Sequence, residues 1–198
     1  MTNELKSFLT QFNSFSPEEV EAIIESMAVK AFPKGAILLR EDELTSTCYF
    51  IVKGCIRQYQ LLDGEEKTIA FFTEHQPVIS YSSYLERTPS QYTYQCIEDC
   101  ELVAGTRESE QKLHKQFPRL EFMTQIVLQK DYQAVQNQLA TMINLSAEER
   151  YQNLIETRPE LLLRVPLQYI ASYLGITPES FSRIRKRVTI REKNQSIG

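Results

Sequence analysis

The sequence predicts an α+β chain with an N-terminal antiparallel β-roll (a double-stranded β-helix), one long helix, and a C-terminal helical domain carrying a helix-turn-helix. Three observations predict it. Short β-like runs separated by turn signals fill residues 36–104, a heptad rhythm of apolar residues runs from Leu128 to Met142, and residues 165–187 read as two short helices around Gly175.

The first element is a helix. Ser16-Pro17-Glu18-Glu19 forms a capping box, and Val20, Ile23, Ile24 and Met27 follow on one face. After Pro33-Lys34-Gly35 the period changes. Ala36–Leu39, Tyr49–Val52, Ile56–Leu62, Thr68–Phe72 and Tyr92–Ala104 read as strands. Lys53-Gly54 and Asp63-Gly64 mark turns between them, the second a strong hairpin signal. Many short strands at near-regular spacing suggest an antiparallel roll or barrel rather than a parallel sheet.

From about residue 107 the pattern is helical again. Leu128, Tyr132, Val135, Leu139 and Met142 are spaced four, three, four and three, the rhythm of a coiled-coil seam. Phe122, Met123, Ile126 and Val127 form a second apolar set, mostly off that seam. A helix from about Arg119 to Ile143 is on the order of 37 Å long. Its two apolar faces suit packing on its own β domain and on a second copy, and so predict a homodimer. Asn144-Leu145 ends the helix, Ser146-Ala147-Glu148-Glu149 is a second capping box, and Arg158-Pro159 interrupts the helix that follows. The expected divisions are 1–118 for the roll, 119–145 for the dimerisation helix and 146–198 for the C-terminal domain.

In that last domain Ile170, Leu174, Ile176, Phe181 and Ile184 keep helical spacing on either side of a break. Ala171 is small, as a close helix crossing requires. Gly175 accepts the positive φ of a tight reversal, Thr177 suits the N-cap of the second helix, and Pro178 suits its first turn. An ordinary helical hairpin shares this spacing, and charge separates the two. Residues 165–198 hold six Lys/Arg and two acids, net +4, in a chain whose net charge is −4. A basic end on an acidic protein is the footprint of a phosphate-binding module, so this helix-turn-helix is expected to bind double-stranded DNA.

Hydrophobic residues make up 42% of the 198, enough for a core, and no apolar run nears the roughly 20 needed to span a bilayer. The N-terminus lacks the plan of a signal peptide. Cys48, Cys55, Cys96 and Cys100 show no CxxC or CxxxH pairing, which argues against structural zinc. Core packing is their expected role, with Cys96 and Cys100 sharing a strand face. The expectation is a cytoplasmic chain with reduced thiols and no membrane partner, metal or cofactor. No nucleophile–base pair or phosphate loop points to an enzyme.

The order helix, β-roll, long helix, capped helix, helix-turn-helix resembles the Crp/Fnr family of bacterial transcription regulators. The likeness covers nearly the whole chain. It is most specific in Tyr49-Phe50-Ile51-Val52-Lys53-Gly54 and in Tyr169-Ile170-Ala171-Ser172-Tyr173-Leu174-Gly175-Ile176-Thr177-Pro178-Glu179. It implies a cyclic-nucleotide-binding-like sensor domain and a homodimer on a palindromic operator, with RNA polymerase and an unidentified small-molecule effector as further partners. In the second helix of the motif Glu179, Arg183 and Lys186 or Arg187 share the outer face, while Phe181 and Ile184 turn inward. The resemblance implies that Glu179 accepts from a cytosine amino group and that Arg183 forks onto guanine. Pro178 stands where relatives carry another base-reading arginine. Gln168, Thr177 and Ser180 are placed for phosphates.

The sensor departs from its cyclic-nucleotide-binding relatives, which hold the ribose and phosphate with Gly-Glu and, about ten residues on, Arg-Ser. Anchored on Asp99-Cys100-Glu101-Leu102, the matching positions read Ile79-Ser80 and Ser90-Gln91. Ser80 replaces the ribose-binding carboxylate, and no arginine stands at Ser90 for a bidentate phosphate contact. Arg87 is three residues upstream of Ser90. Cyclic AMP is therefore expected to bind weakly or not at all. The alternative is a sensor for a cyclic nucleotide or other small molecule whose cassette has shifted. His75 and His114, the only histidines, fall in an expected loop and surface helix and are poor haem ligands. Four thiolates arranged for an iron–sulfur cluster are not evident either.

Overall fold

The computed structural model describes residues 2–12 and 14–195; the side chains of Arg191, Glu192 and Lys193, part of the basic end, lie outside the described residues. Two helices come first, α1 (Thr2–Thr10) and α2 (Pro17–Ser26). The strands are β1 (Val29–Phe32), β2 (Ile37–Leu39), β3 (Thr47–Lys53), β4 (Ile56–Leu62), β5 (Glu65–Phe72), β6 (Pro77–Val78), β7 (Thr93–Cys96) and β8 (Cys100–Thr106). A short helix α3 (Tyr81–Glu86) lies between β6 and β7. The chain continues through α4 (Arg107–Gln116), α5 (Pro118–Asn144), α6 (Ala147–Thr157), α7 (Pro159–Arg164), α8 (Leu167–Tyr173) and α9 (Pro178–Gln195). Among the described residues no helix is long and apolar enough to cross a membrane.

Local chemistry sets many of these boundaries. Both capping boxes form: Ser16 accepts from Glu19 N, Ser146 accepts from Glu149 N, and each glutamate accepts from its serine's backbone N–H. Asp63 and Gly64 both take positive φ, 52° and 79°, which matches the twist of a two-residue hairpin between β4 and β5.

The chain divides into two compact units. One comprises residues 1–60 and 70–133, the other 61–69 and 134–198. In the first, two antiparallel sheets of order β1-β8-β3-β6 and β2-β7-β4-β5 enclose a core of Leu39, Ile51, Ile56, Val78, Tyr94 and Leu102. The first sheet is covered on its other face as well. Val52, next to Ile51 and so pointing the opposite way, joins Leu5, Phe8, Leu9, Val20, Ile23, Leu120 and Met123 in a second core beneath α1, α2 and α5. Alternation in β3 therefore separates two cores rather than core from solvent.

Two sequence expectations need correction here. Cys96 and Cys100 do not share a strand face: Cys96 ends β7 in one sheet, and Cys100 begins β8 in the other. Both pack into the core between the sheets, because the three residues linking them carry the chain from one layer to the next. The Cys100 contact, followed by burial, pushes the Cys96 thiol up, so it stays protonated. Phe122 and Met123 do not share a buried face: Met123 is buried, whereas Phe122 is 66% exposed. Successive helical residues lie about 100° apart, which carries Phe122 off the packed stripe.

The second unit is built on Tyr151, Leu154, Leu161, Val165, Ile170, Phe181, Ile184 and Val188, all buried. Tyr151 meets Phe181 edge-on, with ring centroids 5.2 Å apart. Arg150 closes two helix ends at once: Nη1 donates to Leu145 O at 2.8 Å and Nε to Leu174 O at 3.0 Å. Carbonyls at helix C-termini lack intrahelical donors, and a cation suits the negative end of the dipole.

Gly54 makes the closest approach in the roll. Its φ is 116°, and a Cβ there would sit 2.4 Å from Cys100 Sγ and 2.9 Å from Cys100 Cα. Gly54→Ala is expected to cost about 2–4 kcal/mol from strain and overpacking together. Urea unfolding followed by near-ultraviolet circular dichroism checks it, and an unchanged midpoint would contradict the packing described.

Candidate effector pocket and candidate nucleic-acid interface

Ser80 and Ser90 meet inside the first unit. Ser80 precedes α3 and is buried, Ser90 is buried in the turn before β7, and Ser80 Oγ donates to Ser90 Oγ at 3.1 Å. Ser90 Oγ also donates to Tyr92 O at 2.8 Å and accepts from Tyr92 N at 3.2 Å. A hydroxyl offers one donor and two acceptor sites, so Ser90 is saturated by the protein itself. Its backbone is tied as well, with Asp42 N donating to Ser90 O and Ser90 N to Glu43 O.

The space beside this pair is small. A cavity of about 10 Å³ lies among Leu39, Thr47, Tyr49, Val78, Ser80 and Tyr94, roughly the room for one water. Tyr94 accepts from Gln58 Nε2 at 3.2 Å, and burial pushes its phenol up to about 12. Every polar group here is a neutral hydroxyl. The other two candidates stand elsewhere. Arg87 is exposed and ends α3 in the left-handed region at φ 60°, and Gln91 is exposed. Neither lines the cavity.

The two histidines also sit apart. His75, at φ 68° in the loop before β6, stacks on Phe8 with centroids 4.7 Å apart. His114 lies on α4, its Nε2 3.4 Å from Thr124 Oγ1. Among the described residues no cluster of His, Cys, Asp and Glu is arranged to hold a metal ion.

The helix-turn-helix belongs to the second unit. Gly175 takes φ 68°, Thr177 Oγ1 accepts from Ser180 N at 3.3 Å, and α9 starts at Pro178. Phe181, Ile184 and Val188 are buried, which leaves Glu179, Arg183 and Lys186 on the exposed side. Thr177 and Gln168 are exposed, and Ser180 is half-buried. Arg183 Nη2 donates to Ser180 Oγ at 3.2 Å. A hydrogen bond from its own backbone N–H, then one from Thr177, holds the Glu179 carboxyl below the usual carboxylate range. Arg187 forms an ion pair with Glu148 of α6 at 3.0 Å. Lys186 and Arg187 are both exposed, Arg187 despite its ion pair; no sequence pattern linked positions 148 and 187.

On α5 the seam residues differ in their surroundings. Tyr132, Val135 and Leu139 are 64%, 60% and 60% exposed. Leu128 is half-buried in the first unit, and Met142 lies close to Gly175 in the second.

Residues 29–117 match the family model described as cyclic nucleotide-binding domain. No curated protein matches the sequence. Solved structures match in fold. One is the c-di-GMP-responsive global regulator CLP of Xanthomonas campestris, at TM-score 0.69 and 18% identity, covering 87% of this chain and 93% of that one. FixK2 of Bradyrhizobium japonicum matches at 0.68 and 22%, covering 84% and 86%. The catabolite activator protein of Thermus thermophilus matches at 0.53 and 21%, covering 91% and 87%. The chain has the α+β fold of these proteins, an antiparallel roll of the cyclic nucleotide-binding type followed by a long helix and further helices.

Proposed function

We propose that this chain is a DNA-binding transcription regulator of the Crp/Fnr type that binds a palindromic operator as a homodimer. Its divisions are a sensor over 1–118, a dimerisation helix over 119–145 and a DNA-binding domain over 146–198. The observation that carries the reading is the outer face of α9. Glu179, Arg183 and Lys186 stand exposed on a helix whose opposite face is anchored by Phe181, Ile184 and Val188. A rigidly seated helix with an exposed polar face is what major-groove reading requires. The fold shared with a protein described as a global regulator and with another described as an activator supports it. Glu179 accepts from a cytosine amino group, Arg183 forks onto guanine, and Gln168, Thr177 and Ser180 bond phosphates.

The family-model match over residues 29–117 favours a second reading, a sensor that responds to a cyclic nucleotide or another small molecule through a shifted cassette. The saturated Ser90 hydroxyl and the cavity of about 10 Å³ oppose it for cyclic nucleotides at this pocket. Calorimetry with cAMP and cGMP is expected to show no binding below about 100 µM, since losing the charged phosphate partner costs two or more decades of affinity. A submicromolar dissociation constant for either would overturn the expectation.

Dimerisation rests on the exposed Tyr132, Val135 and Leu139. The chain is expected to sediment as a dimer at micromolar concentration, and Leu139→Ala to weaken the dimer by about 2–5 kcal/mol per buried pair. A monomeric wild type would refute it.

For DNA reading, binding is compared between a selected site and a scrambled one. Arg183→Ala is expected to erase about 1–3 kcal/mol of preference at one position. Lys186→Ala is expected to weaken both DNAs alike and flatten the salt dependence. Equal losses on both DNAs for Arg183→Ala would remove that residue from base reading.

A further inference from the structure

A second hollow of the first unit is on the opposite face of the β1-β8-β3-β6 sheet from the Ser80–Ser90 pair. It is a cleft of about 410 Å³ between that sheet, α1, α4 and α5, with walls that include Phe50, Ile79, Val103, Leu113 and Val127. We infer that this cleft binds a small, uncharged, apolar molecule carrying one hydrogen-bond donor, at a site separate from the nucleotide pocket of the fold.

The wall is incompletely covered. Phe50 and Val52 are two apart on β3 and share a face. Val52 is fully buried under the helices, whereas Phe50, at the cleft, is only half-buried. Helix α4 forms one wall and yet buries none of its residues; Leu113, its apolar residue, is half-buried toward the cleft. Side chains around such a space forgo the contacts that a filling molecule would restore. Its volume falls within the ~300–1,000 Å³ of small-molecule sites.

The polar side chains on the wall include Glu110, Lys112, His114 and Thr124, and Glu110 is the one with a carboxylate oxygen that takes no donor from the described residues. Glu110 lines the cleft; its Oε2 accepts from Tyr84 OH at 2.9 Å, and its Oε1 accepts nothing from the described residues. Burial pushes the Tyr84 phenol up, so it remains the donor of that bond. Cys48, also on the wall, has a thiol pushed up by burial and stays neutral. A carboxylate oxygen without a protein donor beside apolar walls favours a ligand that offers an O–H or N–H, and the nearby Lys112 offsets its charge, so a neutral ligand suits the cleft.

The inference does not rest on the DNA-binding reading, and its test uses no DNA. The probe is N-phenyl-1-naphthylamine, an apolar fluorophore with one N–H, titrated into the full chain. Expected is a blue-shifted, saturable signal with one site per chain and a dissociation constant on the order of 1–10 µM. Val103→Phe, on the sheet wall, is expected to weaken binding at least tenfold with unchanged circular dichroism. Val127→Phe, from the α5 wall, serves the same end should the first variant not fold. Glu110→Ala is expected to weaken the probe about fivefold. No saturable binding to the wild type would overturn the inference, as would undiminished binding by the filled variants. Binding that emerges only on dilution to monomer would also overturn it, because a second copy would then be the occupant.

Discussion

The pairing of β3 with β8 supplies both hydrophobic cores of the first unit. Phe50 lies opposite Val103 and Ile51 opposite Leu102, so each rung of the ladder alternates between the two faces. Ile51 and Leu102 meet the second sheet, and Val52 meets the helices. A one-residue slip would exchange the two sets and disrupt both cores together. Gly54 and Cys100 fix that register at one end of the ladder, where the glycine backbone lies against the cysteine too closely for any side chain. The helices and the small pocket of the roll are positioned by this one ladder.

The Ser80–Ser90 pair lies within that frame. Holding a cyclic phosphate requires a fixed positive charge, and burying a guanidinium without its anion would be costly. This chain has Ser90 at the position in question. The serine's donor and both its acceptor sites are used within the protein. Glu110 is differently placed: one of its oxygens takes no donor from the described residues beside apolar walls.

Features written in adjacent residues were legible in the sequence. The capping boxes at Ser16 and Ser146, the Asp63-Gly64 turn and the Gly175-Thr177-Pro178 reversal each depend on contacts within a few positions. Elements stabilised from a distance were not. Strand β1 is four residues long with Lys30 and Ala31 exposed, and its partner β8 is some seventy positions away. Strand β6 has two residues, and α3 only six. Helix α1 shows its apolar stripe, Leu5, Phe8 and Leu9, but its packing beneath the sheet is not legible in it. At the candidate sites, alignment paired Ser80 with Ser90 but gave no sign that they bond each other. Arg150 reaches two helix ends, and Arg187 reaches Glu148, through spacings of 5, 24 and 39 residues that no periodicity encodes.

That last ion pair bears on how α9 discriminates between DNA sequences on the proposed reading. A helix carrying Arg183, Arg185, Lys186 and Arg187 attracts any phosphate backbone, and attraction alone selects nothing. Glu148 occupies Arg187 and moderates the unspecific part. Glu179 acts in the other sense. Its carboxyl, held below the usual carboxylate range by a backbone hydrogen bond and then one from Thr177, stands near the helix start, where it penalises any register that sets it against a phosphate. It is tolerated only where a donor such as a cytosine amino group faces it. Specificity of this kind comes from an unfavourable contact in the wrong place as much as from a favourable one in the right place. An acid within a basic helix is thus consistent with selective reading, whereas a purely cationic face would suit indiscriminate binding.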